Sequence, residues 1–151
     1  MHLEGSCHCK AVRFTVEAPH PVPFNLCYCA ICRKTAGAGG FAINIGALSE
    51  TLVVTGQEHV RTYQSSEDME RTFCGICGSA LWGYSTSWPD LIHPHASAID
   101  TDLPVPPVRT HLMLGSRANW AEPCLGPKDR TFDGYPDESL ADWHARMGMS
   151  G

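Results

Sequence analysis

Residues 27–34, Cys27-Tyr28-Cys29-Ala30-Ile31-Cys32-Arg33-Lys34, place three thiols within six positions and two cations directly after them. Three soft donors from one tight segment suit a tetrahedral zinc ion and leave its fourth position open. An open position separates a zinc that does chemistry from one that only holds a fold. Two further thiol pairs flank the segment: Cys7-His8-Cys9 near the start, and Cys74-Gly75-Ile76-Cys77-Gly78 near the middle.

The seven thiols divide as four plus three. Cys7, Cys9, Cys74 and Cys77 make a closed site that ties the first strand to a distant hairpin, and closed four-thiolate sites are structural. Cys27, Cys29 and Cys32 make the second site, with water or substrate as the fourth ligand. Spacing alone also permits Cys27–Cys32 to join Cys74 and Cys77. The usual ribbon arrangement, in which pairs from distant hairpins meet, favours four plus three. Three thiolates on a divalent ion leave about one negative charge, which Arg33 and Lys34 stand ready to offset. Such an ion can hold an incoming thiolate or polarise a carbonyl oxygen. Cys124, between Pro123 and Gly126-Pro127, reads as a free structural cysteine. His8, His93 and His95 have no spacing that ties them to a thiol pair and read as incidental; His93 and His95 could form a small polar patch.

The composition supports metal over disulfides. The chain has 151 residues, 43% hydrophobic and 18% charged, with a formal net charge of -5. That fits one globular domain over residues 1–151 with a core large enough to do without bridges. The charge gives no nucleic-acid footprint, and no apolar run reaches membrane-span length. The N-terminus lacks the basic start and apolar core of a signal peptide, so a cytoplasmic location with reduced thiols is expected.

The elements that must carry the thiols are mainly strands. Val12, Phe14 and Val16 alternate with Arg13, Thr15 and Glu17, the period of a half-buried strand. Gly5 and Ser6 read as a flexible approach to Cys7. Pro19, Pro21 and Pro23 make a stiff connection, and Phe24-Asn25-Leu26 a short strand into Cys27. Residues 33–40 read as a turn or short helical piece. Segments 41–45, 51–55, 59–63, 70–73, 79–84, 91–98 and 108–114 read as strands. A hairpin-like turn separates 51–55 from 59–63, and Cys74 and Cys77 sit at the tip of the hairpin formed by 70–73 and 79–84. Residues 104–107 form a stiff loop. The tail, Glu138 to Met147, has helical spacing with acids at its start. Trp82, Tyr84 and Trp120 read as core or pocket walls.

In order, Gly5-Ser6-Cys7-His8-Cys9, Cys27-Tyr28-Cys29-Ala30-Ile31-Cys32-Arg33-Lys34 and Phe73-Cys74-Gly75-Ile76-Cys77-Gly78 resemble the glutathione-dependent formaldehyde-activating enzyme family, also called the Gfa/centromere protein V family. Ala98-Ile99-Asp100-Thr101-Asp102, the stretch from His111 to Trp120, and Phe132-Asp133-Gly134-Tyr135-Pro136 look similar too. The resemblance implies a mainly β, Mss4-like fold of short antiparallel sheets tied by two zinc ions, with one short C-terminal helix. It implies a structural zinc on Cys7, Cys9, Cys74 and Cys77, and a catalytic zinc on Cys27, Cys29 and Cys32 with Arg33 beside it. The implied reaction forms or cleaves the carbon–sulfur bond of S-(hydroxymethyl)glutathione, a lyase activity on a small thiol and an aldehyde. Arg33, Lys34 and Arg117 are candidate contacts for the glutathione anion on chemistry alone. The family often has His where Tyr28 stands, a departure that leaves the thiol count untouched but bears on rate or substrate. The alternative function is a non-catalytic zinc module that binds a protein or a small thiol.

Overall fold

The computed structural model describes residues 1–149. Strands β1 (His2–Ser6), β2 (Arg13–Glu17) and β3 (Phe24–Cys27) precede helix α1 (Ala30–Ala36). Strands β4 (Ala42–Asn44), β5 (Ala47–Leu48), β6 (Val53–Thr55), β7 (Val60–Gln64), β8 (Met69–Cys74), β9 (Ala80–Ser85) and β10 (Leu91–Pro94) follow. Then come β11 (Arg109–Leu112), β12 (Arg130–Thr131) and helix α2 (Leu140–Arg146). The fold is mainly β, as expected, and the described residues form three small sheets ordered β1-β2-β6, β5-β10-β9-β8-β7 and β12-β11-β3-β4. Pairing is antiparallel except around β11, which runs parallel to both β3 and β12.

The alternation in β2 does what its period dictates. Val12, Phe14 and Val16 are buried, and Phe14 meets Trp82 of β9 edge-on at 5.1 Å. With Leu3, Ile45, Leu81 and Ile92 they form one core between the first two sheets. A smaller core lies in the third sheet, where Leu26, Tyr28 and Ala121 pack with Phe24, Phe41 and Ile43. At the C-terminus, Ser139 caps α2 by accepting from the Asp142 N–H, and Trp143 is buried. Glu138 holds both Arg130 and Arg146, which fixes the helix to β12.

Four readings are corrected. Gly5 and Ser6 are not a flexible approach but the end of β1, paired with Phe14 and Arg13. Gly5 is needed there because the Phe14 ring lies 2.3 Å from where its Cβ would stand. Segments 51–55 and 59–63 do not form a hairpin: β6 pairs with β2, and β7 with β8. Residues 49–51 are a helical turn, so that strand starts at Val53. Local periodicity marks a strand but not its partner, and here Gly56 and a second helical turn, Gln57–His59, carry the chain from one sheet to the next. The helical piece placed at 33–40 is α1, which begins earlier, at Ala30.

Gly56 has φ +83°, and a Cβ there would lie 1.9 Å from the Ala11 carbonyl oxygen. Gly56→Ala is therefore expected to lower unfolding stability by at least about 1–3 kcal/mol, read by chemical denaturation; an unchanged midpoint would contradict this packing.

Candidate metal centres

The sulfurs of Cys7, Cys9, Cys74 and Cys77 all lie within 4.8 Å of one another. Cys7 and Cys9 are 3.6 Å apart, and Cys9 and Cys74 are 3.8 Å apart. Four sulfurs at about 2.3 Å from a tetrahedral zinc would stand about 3.8 Å from each other, so the donors fit the ion. The protein builds this place with its backbone. The Val12 N–H donates to Cys7 Sγ at 3.3 Å, and the Ile76 N–H to Cys74 Sγ at 3.4 Å. Ser79 Oγ lies 3.2 Å from Cys77 Sγ and also accepts the His8 N–H. That hydroxyl, with the neighbouring main chain, holds the Cys77 thiol down to about 5.

The sulfurs of Cys27, Cys29 and Cys32 form the second group within 4.8 Å, apart from Cys74 and Cys77. The local chain explains the convergence. β3 ends at Cys27, Cys29 is the N-cap of α1, and Cys32 lies in the first turn, so strand end and helix start deliver three sulfurs to one point. Cys29 Sγ accepts the Cys32 N–H at 3.2 Å. The Cys27 and Cys32 thiols, then the Cys32 and Ile31 N–H groups, hold Cys29 down to about 2. Cys27 is pushed up, chiefly by its hydrogen bonds to the Cys29 and Cys32 sulfurs and then by burial. Thiolate is the form that binds metal, so a lowered Cys29 suits this cluster to an ion.

The cation on this cluster is not the sequence neighbour. Arg71 of β8 donates from both Nη atoms to Cys32 Sγ at 3.6 Å. Asn44 Nδ2 lies 3.9 Å from the same sulfur, and its Oδ1 is 3.0 Å from His95 Nδ1. Arg33 is half-buried with its Nε lacking a partner among the described residues. Lys34 and Arg117 are exposed, and Arg117 donates to the Leu114 carbonyl at 3.3 Å. Arg71 has no sequence signal: it is one polar position in an alternating strand, brought to Cys32 by the fold. His93 and His95 lie close enough to Arg71 for its charge, after burial, to lower both rings to about 4. Trp82 is core, whereas Trp120 is 58% exposed and walls no core. Cys124 is free and exposed.

Tyr28, between two of the thiols, points away from them into the third sheet and is 1% exposed. Its hydroxyl lies 3.0 Å from His111 Nδ1, and His111 Nε2 lies 3.0 Å from Asp129 Oδ2. An ionised carboxylate only accepts, so Nε2–H donates to Asp129, and in the neutral ring Nδ1 accepts the Tyr28 O–H. Burial would raise the Asp129 pKa, but N–H groups of Arg109 and Gly126 and the His111 ring outweigh it and hold it at about 2. Tyr28 therefore anchors the thiol segment to the loop before β12. Asp129, depressed below its ordinary 3.8, gives stability that is complete above about pH 4 and is lost as the pH falls toward 2. Asp129→Asn is expected to cost about 1–3 kcal/mol at pH 7. In denaturant titrations the gap from wild type should narrow between pH 4 and pH 2; a constant gap would remove the ionised anchor.

A family model described as glutathione-dependent formaldehyde-activating enzyme matches residues 2–114. A Halomonas elongata protein, provisionally named a glutathione-dependent formaldehyde-activating enzyme, is 58% identical over 99% of this chain and 98% of its own. An uncharacterised lyase of Schizosaccharomyces pombe is 32% identical over 52% of this chain and 55% of its own. A crystal structure of a Rhodobacter sphaeroides protein superposes with a TM-score of 0.57 at 28% identity, covering 68% of this chain and 97% of that one. With its thiols gathered as four and three on this scaffold, the chain belongs to the glutathione-dependent formaldehyde-activating enzyme family.

Proposed function

We propose that this protein is a zinc-dependent carbon–sulfur lyase that forms or cleaves a thiol–aldehyde adduct such as S-(hydroxymethyl)glutathione, acting as a single domain in the reducing cytoplasm. The observation that carries this reading is the second cluster: three sulfurs converge, and no fourth protein donor joins them among the described residues. Zinc bound there would supply Lewis acidity and a free position for a substrate sulfur or oxygen. Cys7, Cys9, Cys74 and Cys77 would hold the structural ion, while Cys27, Cys29 and Cys32 would hold the catalytic one. The chain's own residues supply the rest. Arg71 sets a positive charge against Cys32, which favours the thiolate form of the cluster. Arg33, next in sequence to Cys32, with Lys34 and Arg117, would draw in the carboxylates of glutathione. Holding thiol and aldehyde together turns a two-body encounter into a local step.

The test is metal analysis followed by exchange spectroscopy with formaldehyde and glutathione. The two-zinc protein is expected to accelerate adduct exchange. Exchange at the spontaneous rate with both zincs bound would point instead to a binding module. Cys29→Ser should keep the fold, lose one zinc and return exchange to the spontaneous rate, whereas Cys74→Ser should lose stability together with its zinc. Equal collapse of both variants would contradict the division of roles.

A further inference from the structure

Three residues lie in one row across the middle sheet. Arg71 of β8 pairs with Gly83 of β9, and Gly83 pairs with His93 of β10. Directly paired residues of neighbouring strands project to the same face, so Arg71 and His93 flank a position with no side chain. Arg71 leans across it: a Cβ on Gly83 would lie 3.9 Å from Nη1. The same face holds Cys32, because both Nη atoms of Arg71 reach its sulfur at 3.6 Å. His95, two residues beyond His93, shares that side and steadies Asn44, whose amide lies 3.9 Å from Cys32 Sγ.

This shelf carries unused polar capacity. A guanidinium has five N–H donors. Arg71 directs Nε to Ser65 Oγ at 3.1 Å and one hydrogen from each Nη toward Cys32, which leaves two without a partner among the described residues. His93 Nε2 is buried and has no hydrogen-bond partner among the described residues. A buried polar atom without a partner costs free energy, so its place calls for a ligand. Burial, and then the charge of Arg71, hold both His93 and His95 down to about 4, so both rings are neutral near pH 7.

We infer that the Arg71–Gly83–His93 shelf binds the oxygen of the thiol–aldehyde adduct, with Arg71 donating to that oxygen and His93 Nε2 taking its proton. The inference rests on the thiol–aldehyde reading above. In the cleaving direction, the adduct O–H bond breaks and its proton moves to His93 Nε2. The O–H electron pair becomes the second bond of the aldehyde C=O, and the C–S pair leaves on the substrate sulfur as thiolate. Arg71 balances the charge that grows on oxygen during this step. His93 then returns its proton to the departing thiolate or to water. The reverse sequence makes the adduct.

Two unreactive thioethers test the shelf: S-(2-hydroxyethyl)glutathione, which offers a hydroxyl, and S-ethylglutathione, which does not. Calorimetry on the two-zinc wild-type protein is expected to show the hydroxyl compound binding about tenfold or more tighter, as for hydrogen bonds to a buried charged donor. His93→Leu and Arg71→Met should bind S-ethylglutathione as wild type does and lose most of that preference. His93→Leu should also slow adduct exchange by about a hundredfold with both zincs retained. Zinc content is measured first, and if Arg71→Met sheds metal, His93→Leu decides. A wild-type protein without the preference, or a His93→Leu variant that keeps it, overturns the inference even if exchange is accelerated. A preference in a protein that does not accelerate exchange supports the shelf and overturns the lyase reading. If neither thioether binds, both fall.

Discussion

Sulfur crowding is the constraint around which this molecule is arranged. Neighbouring thiols in the first group stand 3.6 and 3.8 Å apart with main-chain N–H groups aimed at them. Thiolates at that separation repel unless a cation, a shared proton or a donor sits among them. The group joins the turn after β1 to the tip of the β8–β9 hairpin, so the first two sheets meet where the sulfurs meet. The shared core of Leu3, Phe14, Leu81 and Trp82 then fills the space behind. A structural ion held at such a place would contribute folding free energy outright.

The second group solves the same problem differently. It uses a short segment in place of distant ones, and its charge partner, Arg71, arrives from another sheet. The scaffold below it is tied by Tyr28, whose hydroxyl reaches His111 and through it Asp129. Asp129 lies beyond residue 114, where the family model's match ends. The C-terminal third of this chain therefore takes part in holding the thiol segment, although the cysteine motifs all lie earlier.

Much of this was legible in the sequence because ligand chemistry is written in residue type and spacing. The pairs Cys7/Cys9 and Cys74/Cys77 and the triplet 27–32 announced themselves, and the period-two runs located most strands. Other features were hidden for physical reasons. The pairing of β6 with β2, and not with β7, depends on which apolar faces meet, and a local alternation contains no address. Arg71 sits 39 residues from Cys32, and nothing in its own neighbourhood marks it. The helical piece expected at 33–40 starts earlier, at Ala30, because Cys29 caps it, a role that sulfur rarely takes and that residue preference does not suggest.

The parallel placement of β11 beside β3 has a consequence for how the molecule is made. On a chain emerging from the ribosome, all four donors of the first group exist once residue 77 has been synthesised. The strand that flanks β3 and fixes the floor of the second group is not made until residues 109–112. Parallel partners so far apart in sequence pair late. The nascent protein can therefore close one centre while the other still lacks a wall, which gives the two centres a built-in order of assembly.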